Sequence, residues 1–463
     1  MVEKDKIYTL EVEDFANEGK SIARIENFVI FIDNAIPGDT AEIKIYKTKK
    51  SHAFGKAVKI IKNSDKRIEP RCKYFGTCGG CKWQNMKYDA QLSYKKDGIY
   101  DSFERIGKID SPDVNMPIGS DDIFYFRNKM EYSFSDKRWL TESEKDTEII
   151  DADFGLGLHI PERFDKVLDI EECYLQSEKS VSILNFTREF AKRNGLLPYS
   201  PKTHIGYLRN LVIREAKNTN EFMINIVTHD HNEEVITKYS NEILQKFNFV
   251  TTIVNNITSK KSQVATGEIE KIYFGEGIIH EKLGKYTFRI SANSFFQTNT
   301  KGSEKLYNVI KSFLPDKKLG QLWDLYCGAG TISIYLSEYA DNILGFEIVE
   351  SAISDAQKNT KINGIDNCKF IAGDLKETIK SYSNIKPDLI IMDPPRSGIH
   401  QDVVDAVIAA EAPQIIYVSC NPQTQARDLE ILCKAYNITA IQPVDMFPHT
   451  MHIENVVNLI KKT

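Results

Sequence analysis

From about residue 286 to the C-terminus, six apolar runs alternate with stretches of helical pattern. The runs are QLWDLY, NILGFEI, CKFIAGD, PDLIIMD, QIIYVSC and ITAIQPVDMF. Strand–helix alternation of this length reads as a doubly wound, largely parallel sheet with helices on both faces. Ligands of such a sheet bind outside the carboxyl ends of the strands. The residues that close each run are therefore read as one set.

The first run closes in Asp324-Leu325-Tyr326-Cys327-Gly328-Ala329-Gly330, whose glycines let the backbone approach a ligand before a helix begins. A plain turn explains a lone G-x-G as often, and Ser333 stands where a dinucleotide fingerprint has its third glycine. The second run closes at Glu347, placed to accept ribose hydroxyls, and the third at Asp374, placed near an adenine amino group. Either acid alone also suits a helix N-cap. The fourth run closes in Asp393-Pro394-Pro395, a rigid bend that stops the strand.

The fifth run closes in Ser419-Cys420-Asn421-Pro422. A free cysteine is usually a small buried hydrophobe, and Cys327, Cys368 and Cys433 read that way. Cys420 differs because it follows its strand and reaches the ligand rim. A helix starting near Thr424 is expected to lower its thiol pKa. The C-terminal string PVDMFPHTMHIENVV offers three candidates for a general base, Glu454, His449 and His452, and spacing does not choose among them.

The 463 residues imply about three domains. Residues 1–64 show short alternating strands with turns such as that at 16–20, the pattern of a small OB-type barrel. Residues 65–285 read as a central α+β domain, and 286–463 as the α/β domain. No run approaches the ~18 apolar residues of a membrane span, and the N-terminus lacks the apolar core of a signal peptide, so a cytoplasmic protein is expected. The net charge of −5 argues against a polyanionic partner. Yet Lys44 to Lys87 holds 13 Lys or Arg and only two acids, Asp65 and Glu69, which points to a local one. Cys72, Cys78 and Cys81 form C-x5-C-x2-C in that block, and Cys173 supplies a fourth thiol. Four thiolates suit an iron–sulfur cluster or zinc, and the residues do not separate the two.

The strings DPPRSG, SCNPQTQARDL and FPHTMHIENV, with SFFQTN and DLYCGAGTISI before them, resemble the motifs of the RNA uracil-5-methyltransferases. The N-terminal strands look like the small TRAM barrel. The resemblance implies a Rossmann-like class I S-adenosylmethionine-dependent methyltransferase domain acting on carbon 5 of uridine. It makes Cys420 the nucleophile and Glu454 the base. Gln297, Tyr326, Glu347, Asp374 and Asp393 become cofactor contacts. Thr331 departs from members that carry Asn there. The four cysteines resemble the [4Fe–4S] ligands of the ribosomal-RNA branch, so 23S rRNA is the expected substrate and transfer RNA the alternative. Arg127 and Lys129, among aromatics in FYFRNKMEYSF, are the expected RNA contacts. Two other classes compete: an amino-methyltransferase, against which Arg396 and Cys420 count, and a non-catalytic iron–sulfur RNA-binding protein.

Overall fold

Period-two patterning in the first sixty residues produces a six-stranded sheet. Its strands are β1 (Ile7–Glu11), β2 (Asp14–Phe15), β3 (Ser21–Ile25), β4 (Phe28–Asp33), β5 (Thr40–Thr48) and β6 (His52–Lys62). They lie in the order β1-β5-β6-β4-β3-β2, antiparallel except where β4 runs beside β6. Alternate residues, including Ala23, Ile30, Ile32, Ile43, Ile45 and Ala53, turn inward and form the core of this unit. The computed structural model describes residues 2–16, 19–141, 144, 152–161, 163–262 and 265–463, so the turn read at 16–20 lies partly outside the described residues.

Residues 66–87 follow with little regular structure, and helix α1 (Tyr88–Arg105) continues from them. The central sheet joins β7 (Lys129–Ser135), β8 (Gly155–Ile160), β9 (Arg163–Asp169), β10 (Leu208–Glu215), β11 (Phe222–Thr228), β12 (Thr252–Ile257) and β13 (Ile269–Phe274) in the order β13-β12-β11-β10-β7-β8-β9. Helices α2 (Glu178–Arg193) and α3 (Glu233–Lys246) are capped by the side chains of Ser177 and Asn232. Both helices bury an apolar stripe in the core of this domain, with Ile183, Phe190, Ile236 and Tyr239 among its members.

A hairpin of β14 (Ile278–Leu283) and β15 (Tyr286–Ser291) leads to α4 (Thr300–Ser312). Both hairpin strands share a core with α4 and with the C-terminal sheet. The boundary read at residue 285 therefore falls in the turn of one packed hairpin. Five parallel strands follow with their helices: β16 (Leu319–Leu325), α5 (Thr331–Tyr335), β17 (Ala340–Glu347), α6 (Glu350–Ile362), β18 (Cys368–Ala372), α7 (Leu375–Ser381), β19 (Leu389–Met392), α8 (Gln401–Ala410), β20 (Gln414–Ser419) and α9 (Pro422–Leu432). The last two strands are β21 (Tyr436–Val444) and β22 (Glu454–Lys461). The sheet order is β18-β17-β16-β19-β20-β22-β21, with β22 antiparallel to both neighbours. Strand order reverses between β16 and β19, the switch point at which such folds bind ligands. Helix α1 lies against α9, and its Ile99 and Phe103 join the same core as Leu429 and Val403. This segment, read as part of the central domain, is thus docked on the α/β layer. Among the described residues no helix is long and apolar enough to cross a membrane.

Candidate active site

Three neighbouring strands deliver the reactive groups. Pairing of Met392 with Tyr417 brings the end of β19, and so Asp393, beside the end of β20. Pairing of Ser419 with Asn455 sets Cys420 opposite Glu454 at the start of β22. The Asp393 bend is fixed to the start of α9, because the side chains of Asn421 and Thr424 both donate to the Arg396 carbonyl, at 3.0 and 3.3 Å.

The charges at this point are coupled. Glu454 is only 4 % exposed, and burial, then the Asp393 charge, holds its carboxyl well above the usual range. Burial, with Asp324 adding to it, pushes Asp393 up to about 7. The half-buried Cys420 thiol is pushed up to about 11, first by burial and then by Glu454 and Asp393. This corrects the expectation of a lowered thiol pKa. Helix α9 does begin there, at Pro422 with Asn421 as cap, two residues earlier than read. Its positive end is outweighed by desolvation and two acids. The exposed Arg396 opposes the shift on both Cys420 and Glu454. Its guanidinium also donates to His452 Nδ1 at 2.9 Å. In the sequence Arg396 counts only against an amino-methyltransferase; the fold makes it the cation beside Cys420 and Glu454.

The three base candidates separate by position. His449 is buried at φ +65°, and its carbonyl accepts from the backbone of Lys82 and Trp83 at 2.8 and 3.0 Å. Its ring lies 4.6 Å from that of Phe124, so it holds the chain rather than facing a ligand. His452 lines the cleft, but burial and Arg396 push its imidazole down to about 4, which keeps it neutral. Glu454 alone of the three stands across from Cys420. The cleft has a volume of about 600 Å³, and Phe15, Gly19, Trp83, Arg396, Cys420 and His452 are among its walls.

The residues expected to contact a cofactor lie along the neighbouring strand ends. Both Glu347 oxygens accept backbone N–H groups, from Gly328 at 3.1 Å and Val349 at 2.9 Å. Tyr326 sits at φ +64° in the turn after β16, and burial, then the charges of Asp428, Asp374 and Glu347, pushes its phenol up. Asp374 is exposed and caps α7 by accepting from the Lys376 N–H at 3.1 Å. The loop carrying Gln297 is pinned by Asn128, whose side chain donates to the Gln297 carbonyl at 2.9 Å and whose N–H donates to that of Thr298 at 2.9 Å. Asn128 lies in the FYFRNKMEYSF string beside Arg127 and Lys129, and nothing in the sequence marks it as a partner of the Gln297 loop. Thr331 opens α5 and accepts from the Tyr307 hydroxyl at 3.0 Å.

Residues 215–462 match the tRNA (uracil-5-)-methyltransferase family, and residues 2–58 match the TRAM domain. The chain belongs to the RNA uracil-5-methyltransferase family. An uncharacterized RNA methyltransferase of Chlorobaculum tepidum is 41 % identical over 98 % of this chain and 96 % of its own length. One of Bacteroides thetaiotaomicron is 41 % identical over 96 % and 99 %. Among solved structures, the Pyrococcus abyssi tRNA (uracil-54, C5)-methyltransferase in complex with S-adenosyl-L-homocysteine is 29 % identical. It superposes with a TM-score of 0.76 over 98 % of this chain and 100 % of that one.

In this uracil-5-methyltransferase family member, Cys72, Cys78, Cys81 and Cys173 line one cavity, with Tyr74, Leu158 and Leu175 among its walls. Burial pushes all four thiols up, Cys78 to about 12. Among the described residues no three His, Cys, Asp or Glu side chains are grouped so as to hold a metal ion. Arg127 is half-buried near Cys173 and Cys81, where burial lowers its pKa, and it donates to the Met130 sulfur at 3.8 Å. Lys129 is paired with Glu131 at 2.5 Å. Neither of these two expected RNA contacts is among the residues that line the cleft at Cys420.

Proposed function

We propose that this chain methylates carbon 5 of a uridine in RNA, with S-adenosylmethionine as methyl donor, Cys420 as nucleophile and Glu454 as base. The observation that carries this reading is the meeting of Cys420, Glu454 and Asp393 at three adjacent strand ends. Carbon 5 of uracil is a weak nucleophile. Cys420, its thiol proton lost to solvent in the cleft that it lines, adds as thiolate to carbon 6, forming an S–C bond as the 5,6 double bond opens and carbon 5 becomes electron-rich. Carbon 5 would then take the methyl group as the sulfonium–methyl bond breaks, its electron pair staying on the sulfur of the departing thioether, S-adenosylhomocysteine. Glu454 removes the proton from carbon 5, the 5,6 double bond re-forms, and the sulfur leaves as thiolate. Arg396 is the cation that favours ionisation of Cys420 and Glu454. Gln297, Tyr326, Glu347 and Asp374 would hold the donor, while Asp393 faces both donor and base.

We propose that the four clustered cysteines hold a [4Fe–4S] cluster. Their number, their shared cavity and its apolar walls fit the group. Thiolates on a four-iron cubane bind at separate corners, whereas zinc requires sulfurs converging on one point at about 2.3 Å. When bound, the cluster would supply a crosslink between the cysteine segment and Cys173, and the methyl transfer needs no electrons from it.

For the substrate, the cysteine set supports 23S ribosomal RNA. The likeness to a tRNA (uracil-54, C5)-methyltransferase supports transfer RNA. Incubating the protein with S-adenosylmethionine and each RNA, then mapping 5-methyluridine by mass spectrometry, decides between them. No 5-methyluridine in either RNA would overturn the assignment.

A further inference from the structure

The barrel carries an aromatic patch on its outer face that its core does not use. Ile30, Ile32 and Ala53 point inward, so Phe31 and Phe54, which alternate with them, point outward. Register pairs Phe31 with Phe54 across β4–β6, and Phe54 with Lys47 across β5–β6. The two phenyl rings lie stacked 5.4 Å apart at 27°, and Tyr46 extends the stack at 6.4 Å and 29°. His52 meets both phenyl rings edge-on at 5.5 and 5.2 Å. Two ammonium groups cover Phe54, Lys47 at 5.4 Å and Lys20 at 5.9 Å. Asp33 fixes the arrangement by accepting from Lys20 at 2.8 Å and from the Tyr46 hydroxyl at 2.9 Å.

Outward-facing rings on a small barrel, held in parallel and flanked by lysines, match the chemistry of an unpaired nucleic acid strand. Bases stack on the rings and phosphates meet the ammonium groups. The surroundings favour the same occupant, because Lys44, Lys47, Lys49, Lys50 and Lys56 are all exposed in this part of the barrel. The patch also adjoins the catalytic cleft. Gly19 is a wall of that cleft and Lys20 is the next residue. The Gly19 carbonyl is anchored there by the Trp83 indole, which donates to it at 3.3 Å.

We propose that Phe31, Tyr46 and Phe54, with Lys20 and Lys47, form a stacking platform for unpaired nucleotides that run on from the uridine bound at Cys420. The proposal rests on the RNA-methyltransferase reading above and adds where the flanking strand lies. The probe is a fluorescein-labelled 12-nucleotide uridine-rich single-stranded RNA, compared with the same strand in a duplex. Phe54→Ala and Phe54→Leu, the second of which keeps apolar volume without a flat ring, are each expected to weaken single-strand binding about tenfold. Phe54→Trp is expected to bind as the wild type does. Lys47→Ala is expected to flatten the salt dependence of log K by about 0.7. Undiminished binding in both Phe54→Ala and Phe54→Leu, or an equal loss on duplex and single strand, overturns the platform. Failure of the enzyme reading is seen separately: wild-type protein that methylates no RNA refutes that reading, whereas active wild-type protein with full-affinity Phe54 variants refutes the platform alone.

Discussion

At the residue scale the site is a pair of acids, Glu454 and Asp393, whose carboxyls burial raises, set around a thiol. If the thiol makes the bond to uracil, Cys420→Ala loses methylation by about 10³-fold or more. Its S-adenosyl ligand affinity should stay near the wild type, because that rim is built from other strands. Glu454→Gln leaves the addition and methyl transfer intact but removes the group that takes the carbon 5 proton. It should therefore accumulate a protein–RNA adduct that survives a denaturing gel; rapid turnover without adduct would refute the role. Asp393 gives a stability test. Its folded pKa is raised to about 7 from an ordinary 3.8, so the folded chain holds a proton that the unfolded chain releases. Stability from this group is full below about pH 4 and is lost as the pH rises through about 7. Asparagine is neutral throughout and escapes that loss. Asp393→Asn should be more stable than the wild type by about 1–4 kcal/mol at pH 8, with the gap narrowing toward pH 5 in thermal melts.

At the scale of elements, α1 fastens the cysteine segment to the turn that leads into β22. The buried Gln91 amide donates to the carbonyls of Trp83 at 3.0 Å and Met86 at 2.9 Å, and accepts from the His449 N–H at 2.8 Å. Lys95, one turn on, pairs with Asp445 at 2.7 Å with both side chains wholly buried. Gln91→Ala strands the His449 N–H, at about 1–3 kcal/mol. Glu454 lies five residues beyond His449. The expected result is a fall in kcat with little change in affinity for S-adenosylmethionine, read by steady-state kinetics and ligand titration. A loss of donor affinity with kcat intact would show that the clasp serves the rim instead. This junction was not legible in the sequence, because an amphipathic pattern tells which face of α1 is buried but not that α9 covers it. Six of the seven strands of the α/β sheet were legible, since each carries a largely apolar run that closes in a turn or a polar residue. Strands β8, β9 and β13 were not: GLGLHI is rich in glycine, RFDKVLD is charged, and IEKIYF is an edge strand with Ile269, Ile272 and Phe274 exposed. Cys420 could be picked out because it follows a strand. His449, His452 and Glu454 could not be told apart, because a residue at φ +65° reverses what spacing alone implies about direction.

At the scale of the whole molecule, the segment 66–87 reaches the barrel, the central domain and the His449 turn. Arg67 pairs with the buried Asp39 of the barrel at 2.5 Å. The Tyr74 hydroxyl accepts from the Glu171 N–H at 3.1 Å, and Arg71 stacks over Tyr174 at 4.2 Å, on either side of Cys173. The Lys82 and Trp83 N–H groups reach the His449 turn. The proposed cluster would crosslink this segment through Cys72, Cys78 and Cys81 to Cys173 of the central domain. If they hold a cluster, protein purified under argon is brown and bleaches in air. Cys78→Ser should be colourless and iron-poor, and its 66–87 amides should exchange with deuterium faster by about tenfold or more. Binding of S-adenosylmethionine should survive the change, because Glu347, Tyr326 and Asp374 lie on the far strands of the α/β sheet. RNA methylation should fall, because the barrel and the His449 turn are no longer held to one another through Trp83. A colourless wild type with one equivalent of zinc would replace the cluster by a metal ion. Unchanged exchange in Cys78→Ser would show that the packing of Trp83, Arg67 and Tyr74 holds the segment without a crosslink.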